Sequence, residues 1–246
     1  MYMHDYHTDK PEVILLLHPM LAAAEMMHQL LGSHFSEYRL LIPDLAGHGE
    51  AVGQPFQSAE REAAEIAAYL REIGVSQVRL GYGASLGAIV LMELMRQPGV
   101  RFGHLFFEGA SFHENANFVG KTVGKVFLAK HKRAVENPAR SVEMMGQLYG
   151  KQAAEPMAKS FIAMTDESIL NIAHVCTHVR LPEADPEQQK RMSFSYGDKD
   201  EMLKEAKKLQ KRRYPAAELV LWKGYGHCQR ITADPDSYAE YLKKYL

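Results

Sequence analysis

Short apolar runs alternating with helical patterns constrain this chain more than any other feature. Six runs stand out: "EVILLLH" (12–18), "YRLLIPD" (38–44), "QVRLGYG" (77–83), "RFGHLFFEG" (101–109), "RMSFSYG" (191–197) and "AELVLWKG" (217–224). They are continuous rather than alternating in polarity, as strands are when helices cover both faces of a sheet. Between them lie helical patterns such as "LAAAEMMHQLLGSHF", "SAEREAAEIAAYLREIG", "EMLKEAKKLQKRRY" and the terminal "DPDSYAEYLKKYL". Strand–helix alternation of this kind predicts an α/β fold, a mostly parallel sheet joined by right-handed crossovers. A length of 246 residues holds one large domain, or a domain with an insertion.

The rhythm breaks between residues 111 and 190. No strand is legible there, but "KTVGKVFLAKHKRAVE", "ARSVEMMGQLYG", "AEPMAKSFIAM" and "DESILNIAHVCTHVRL" read as amphipathic helices, followed by the polar "LPEADPEQQ". We therefore expect a core in two parts, 1–110 and 191–246, with 111–190 a helical cap lying over the carboxyl ends of the strands. Open α/β sheets keep their sites at that edge.

Composition removes several classes of function. Hydrophobic residues make up 46% and charged residues 24%, with a net charge of −1 and the signs interspersed, so nothing advertises a nucleic-acid surface. The densest basic run, "KKLQKRR" (207–213), falls at helical spacing and reads as a solvated face. The apolar runs are too short to span a bilayer, and the polar start "MYMHDYHTDKPE" has no signal-peptide core. Two cysteines, Cys176 and Cys228, make no disulfide framework. The expectation is a cytoplasmic protein with neither nucleic acid nor membrane as partner.

"GYGASLGA" (81–88) carries the chemistry. Gly83-Ala84-Ser85-Leu86-Gly87 is G-x-S-x-G between a strand and a helix. Such a turn is tight and strained, and glycines two residues either side of the serine remove side chains that would collide. The strain leaves Ser85 Oγ at a helix N-terminus, where developing negative charge is favoured. A serine needs a base, and His227 in "WKGYGHCQ" follows the last strand; the base needs a carboxylate, and "YGDKDE" offers Asp198 and Asp200 after the strand before. Asp200 also suits the N-cap of a helix beginning at Glu201. Glu108, ending "LFFE", is a third carboxylate on the site side.

With these segments in order, "LLLHPM", "IPDLAGHGE", "GYGASLGA", "YGDKD" and "GYGH", the chain resembles the α/β-hydrolase fold over nearly its whole length, specifically its cap-bearing esterases and C–C hydrolases. The resemblance implies Ser85 as nucleophile, Asp200 as acid and His227 as base. A serine rather than an aspartate nucleophile disfavours epoxide hydrolase and haloalkane dehalogenase chemistry. Where the family has His-Gly after its first long strand, this chain has His18-Pro19-Met20. Proline has no N–H to give, so the oxyanion donors implied are the N–H groups of Met20 and Leu86, with His18 shaping the loop. Only about eleven residues precede the first long strand. The family's leading hairpin is thus shortened or missing, and six to seven strands are expected.

Other residues read as structure. His48 supports a loop turn. His174 and His178 stand four apart on a helix but lack a third ligand, so no metal and no cofactor is expected. Met144, Met145, Met157 and Met164, with Phe127, Phe161 and Leu148, offer a flexible apolar lining for the cap. The function expected is hydrolysis of a small or medium acyl compound, most simply a carboxylic ester. C–C hydrolysis, a lyase or synthase without a lasting acyl-enzyme, and a non-catalytic ligand-binding role use the same fold.

Overall fold

A computed structural model describes the backbone of residues 1–246 and the side chains of all but residues 117–119. The first half of the chain runs β1 (Tyr2–Tyr6), β2 (Val13–Leu17), α1 (Ala24–Leu30), β3 (Arg39–Asp44), α2 (Ala59–Glu72), β4 (Gln77–Ala84), α3 (Leu86–Leu94) and β5 (Arg101–Glu108). Five helices follow: α4 (Asn117–Glu136), α5 (Pro138–Tyr149), α6 (Lys151–Ala163), α7 (Asp166–Val175) and the short α8 (Pro186–Gln189). The chain then closes with β6 (Met192–Gly197), α9 (Leu203–Arg213), β7 (Glu218–Trp222), α10 (Arg230–Ala233) and α11 (Pro235–Lys243).

The seven strands form one sheet in the order β1-β3-β2-β4-β5-β6-β7. All neighbours are parallel except β1, which runs antiparallel to β3 with Tyr2 opposite Asp44 and Tyr6 opposite Leu40. Every residue of β2 is buried, as its unbroken "VILLL" requires of a strand between two others with helices flanking the sheet. All nine residues of α3 are buried too, so the helix after Ser85 is a core element. No described helix is long and apolar enough to cross a membrane.

The polar start of the chain supplies a strand that sequence reading did not assign. Asp5 takes a two-pronged contact from Arg39 at 2.6 and 2.8 Å and a hydrogen bond from the Tyr69 hydroxyl at 2.9 Å. His4 Nε2 lies 2.8 Å from Asp44 Oδ2, and Tyr6 stacks on His28 with ring centroids 4.2 Å apart. Such contacts suit an edge strand, which needs no second apolar face. One antiparallel strand therefore stands where a hairpin was expected to be shortened or missing.

Within 111–190, α4 packs on α7 and α5 on α6. The pattern expected to run as a helix to Leu181 stops at Val175, because Thr177 Oγ1 turns back to the carbonyls of Ala173 and His174 at 2.9 and 3.0 Å. Val179 N–H then pairs with His113 O at 2.7 Å. The helix α7 is pinned to the loop before α2: Ser168 Oγ accepts from Phe56 N–H at 3.0 Å, and Asn171 Nδ2 donates to Phe56 O at 2.9 Å. Arg180 adds ion pairs to Glu60 at 3.2 Å and to the buried Glu93 of α3 at 3.3 Å.

Candidate active site

Parallel neighbours put the carboxyl ends of β2, β4, β5, β6 and β7 at one edge of the sheet. The chain leaves β4 through Ser85, held at φ 50° and ψ −108°. A side chain at Gly83 would lie 2.5 Å from Gly87 O, and one at Gly87 would strike the Leu17 carbonyl. Both glycines are thus demanded by close approach of strand and helix. Backbone hydrogen bonds hold the strain: Ser85 N–H donates to Glu108 O at 2.8 Å, and its carbonyl accepts from Ala88 N–H at 3.1 Å. Ser85 Oγ caps no backbone N–H of α3 and is left to face His227.

His227 Nε2 lies 3.0 Å from Ser85 Oγ, and His227 Nδ1 lies 2.9 Å from Asp200 Oδ2. Three loops after different strands thus converge on one hydrogen-bonded line. The last two are laced together, with Asp198 N–H donating to Trp222 O at 2.9 Å and Lys199 N–H to Tyr225 O at 3.0 Å. The Asp200 side chain is 1% exposed and His227 is 38% exposed, so the acid is enclosed while the imidazole reaches the cavity. Burial opposes charge on the ring, while the Asp200 carboxylate favours it, and the balance lies above the ordinary imidazole value. Burial also pushes the Cys228 thiol up, which keeps the sulfur neutral and leaves the Asp200 carboxylate as the charge that holds the proton.

The rival carboxylates are occupied elsewhere. Asp198 Oδ1 accepts Gly224 N–H at 2.8 Å and is turned toward the loop after β7. Glu108 Oε2 accepts from the Tyr238 hydroxyl at 2.8 Å, and burial raises its pKa. The capping role expected of Asp200 needs correction. The helix α9 begins at Leu203 behind Met202, two residues later than expected. Asp200 Oδ1 nevertheless accepts Met202 N–H at 2.9 Å, so each oxygen of this carboxylate has its own task.

The loop after β2 is shaped by two buried histidines. His18 Nε2 accepts from Leu45 N–H at 3.0 Å, which leaves Nδ1–H to donate to Pro19 O at 2.9 Å. Burial, joined by His48 close by, drops the His18 pKa to about 3 and keeps the ring neutral. Ala22 N–H adds a second donor to Pro19 O at 3.0 Å. A trans peptide points its N–H opposite its carbonyl. Fixing Pro19 O therefore fixes the direction of Met20 N–H. His48 Nε2 lies 2.5 Å from Met20 O, so it supports this loop as well as its own turn. Leu86 N–H, at the first position of α3, is one of the helix's unpaired donors.

A cavity of about 480 Å³ opens over Ser85 and His227, and Pro19, Met20 and Asp200 also line it. The 111–190 segment contributes Val123, Phe127, Tyr149, Met157, Ile169 and Ile172. Two expected lining residues are there, Phe127 and Met157. Met144 and Leu148 are instead exposed at 37% and 51%, while Met145, Phe161 and Met164 are buried but do not reach the cavity. The missed lining comes from the core: Met26, Met27 and Leu30 of α1, with Met202 and Ile231. The apolar stripe of "AEMMHQLL" signalled burial, but not that it faced a cavity.

The sequence matches the model of the alpha/beta hydrolase family over residues 14–241. No protein with a curated description matches it. Among solved structures it is similar to an esterase from Thermogutta terrifontis, with 17% identity and a TM-score of 0.75 over 99% of this chain and 93% of that one. An esterase from Exiguobacterium antarcticum gives 14% identity and 0.75 over 99% and 94%. MenH from S. aureus gives 16% and 0.71 over 100% and 98%. At such identities these likenesses speak for the fold alone, and the fold agrees with the match in sequence. The chain belongs to the alpha/beta hydrolase family.

Proposed function

We propose that the protein is a serine hydrolase of small or medium acyl compounds, most simply carboxylic esters, with 111–190 as the cap that selects the acyl group. The observation that carries this reading is the line from Ser85 Oγ through His227 to Asp200, at 3.0 and 2.9 Å, opening into an apolar cavity. Ser85 Oγ attacks the carbonyl carbon as His227 Nε2 takes its proton, and Asp200 stabilises the imidazolium that forms. The N–H groups of Met20 and Leu86 receive the oxyanion. Collapse of this intermediate expels the leaving oxygen, which takes the proton from Nε2 and leaves the acyl group on Ser85. Water then attacks the acyl-enzyme, gives its proton to Nε2, and the second collapse returns that proton to Ser85 Oγ with release of the acid. The chemistry calls on no cofactor. The free thiols Cys176 and Cys228 fit a reducing cytoplasm.

Fluorophosphonate labelling, followed by a series of p-nitrophenyl esters, tests the reading. Wild type is expected to label at Ser85 and to turn over esters. Ser85→Ala is expected to fold, to resist labelling and to lose several decades of kcat. Near-full activity in Ser85→Ala overturns the mechanism.

A further inference from the structure

Four uncharged hydroxyl side chains line the cavity: Ser85, Ser111, Tyr149 and Thr232. Three are engaged by the protein. Ser85 Oγ faces His227 at 3.0 Å, Ser111 Oγ donates to Cys176 O at 2.6 Å, and Thr232 Oγ1 donates to Gln229 O at 3.1 Å. The Tyr149 hydroxyl has no hydrogen-bond partner among the described residues. The hydroxyl is not among the polar atoms sealed from solvent, so it can exchange a water for an oxygen of a bound ligand.

Its position is built rather than incidental. Tyr149 is the last residue of α5, and Gly150 turns the chain with φ 88° before α6. Gln229 ties this helix end to the loop that bears His227. Its Oε1 accepts Gly226 N–H at 2.9 Å, and its Nε2 donates to Leu148 O, also at 2.9 Å. One side-chain amide thus holds the residue before His227 and the residue before Tyr149. Tyr149 and His227 line the same cavity, and burial raises the phenol's pKa, so it remains a donor at neutral pH.

In the proposed reaction His227 Nε2 hands its proton to the leaving oxygen, and Gln229 fastens the helix end that carries Tyr149 to the His227 loop, so Tyr149 lines the cavity on the side where the leaving group departs. We propose that Tyr149 is a specificity-determining residue: its hydroxyl donates to a second oxygen of the leaving group, beyond the one in the scissile bond. The preferred substrates are then acyl compounds with an apolar acyl chain and an oxygen-bearing leaving group. This inference rests on the serine-hydrolase reading and names the substrate class within it.

Two esters of equal length separate the effect from size: butyl hexanoate and 2-methoxyethyl hexanoate, which differ by one ether oxygen in place of a methylene. Wild type and Tyr149→Phe are compared by kcat/KM on both. Any intrinsic difference between the two alcohols cancels when the wild-type ratio is divided by the variant's. The expected result is a loss of about three- to tenfold on the methoxyethyl ester, with butyl ester turnover within about twofold of wild type. The melting temperature should be unchanged, since the lost hydroxyl has no partner in the protein. An unchanged ratio, or equal loss on both esters, overturns the role of Tyr149 while leaving the hydrolase reading intact. Failure of wild type to hydrolyse either ester or to label with fluorophosphonate overturns both.

Discussion

Replacing Asp200 by asparagine separates the two tasks of one carboxylate. Oδ2 faces His227 Nδ1 at 2.9 Å, and Oδ1 accepts Met202 N–H at 2.9 Å. Asparagine has one accepting end and one donating end, so it cannot serve both. If its oxygen keeps Met202, the amide NH₂ faces Nδ1, the imidazole proton moves to Nε2, and no base faces Ser85. If its oxygen turns to His227, the NH₂ meets the Met202 N–H and leaves that donor unpaired, at a cost of about 1–3 kcal/mol. The inactive arrangement is thus favoured by roughly one to two decades. The active minority also lacks the carboxylate charge, worth up to about 4 kcal/mol at 4 Å and an effective dielectric of about 20, or about three decades. Together these give a loss in kcat on the order of 10⁴, which matches the effect of this change in serine proteases. The assay is steady-state ester hydrolysis beside urea unfolding. Stability should fall by no more than about 1–2 kcal/mol, because at least one hydrogen bond survives in either arrangement. Asp198→Asn is the control, since an amide oxygen can still accept Gly224 N–H. A loss below about tenfold in Asp200→Asn refutes the argument, and a larger loss in Asp198→Asn moves the acid.

Three further outcomes follow from the same geometry. The His227 pKa lies above its ordinary 6.5, and the base works only when neutral, so kcat/KM should rise with pH through a midpoint above 6.5. The midpoint should move down in Asp200→Asn; a wild-type midpoint at or below 6.5 removes the carboxylate from that role. Met157 lines the cavity and Met144 does not, so Met157→Ala should raise kcat/KM for long acyl chains relative to short ones, by about 0.8 kcal/mol per methylene accommodated, while Met144→Ala leaves the ranking unchanged. Finally, His18 and His48 are 0% and 1% exposed with pKa values lowered by burial, so the unfolded chain takes up protons there before the folded one. Stability from these groups is full above about pH 6.5 and is lost as pH falls, about 1 kcal/mol from His18 between pH 6.5 and 5.5, with His48 acting in the same direction. His227, with a raised pKa, shifts stability the opposite way but by less, because it is partly exposed. Burial also raises the pKa values of Glu62, Glu93 and Glu108, which shift stability the same way as His227, so the decisive measurement is NMR titration: a His18 imidazole that gains its proton in the folded protein between pH 6.5 and 5.5 refutes the buried neutral ring.

The sheet and the serine elbow were legible because their signals are local. Unbroken runs such as "VILLL" have only one comfortable environment, and glycines at 83 and 87 flank a serine that no helix or strand would otherwise need. Asp200 and His227 were legible as residues just after strands, but the choice among Asp198, Asp200 and Glu108 was not. It depends on where each side chain points after a turn, which spacing alone does not encode. The geometry separates the three by their partners: Gly224 N–H engages Asp198, the Tyr238 hydroxyl engages Glu108, and His227 Nδ1 lies 2.9 Å from Asp200, which is why the proposed mechanism uses Asp200. β1 was missed because an edge strand held by Asp5, Arg39 and Tyr69 has no apolar run to advertise it. The lining methionines were misassigned because helical periodicity reports a buried face without saying whether it meets packed side chains or a cavity.

The site divides into a part fixed by backbone and a part made of soft side chains, and the division follows chemical need. Ser85 is held by its own N–H and carbonyl and by two glycines that admit no side chain. The Met20 peptide is held through Pro19 O by a histidine and a backbone donor. In the proposed mechanism a displacement of a fraction of an ångström in either would cost rate steeply, because oxyanion donors act only at hydrogen-bond distance. The opposite wall is built from Met26, Met27, Met157, Met202, Phe127 and Ile169, and methionine fills irregular space at little cost. In the proposed hydrolase, reshaping that wall would change which acyl chain fits without touching the groups that move protons. Tyr149 stands at the seam: a segment whose other contributions to the cavity are largely apolar brings one polar atom to the histidine loop, and Gln229 fastens the two together. On the proposed reading, selectivity for the leaving group is as rigid as the chemistry, while selectivity for the acyl chain stays adjustable.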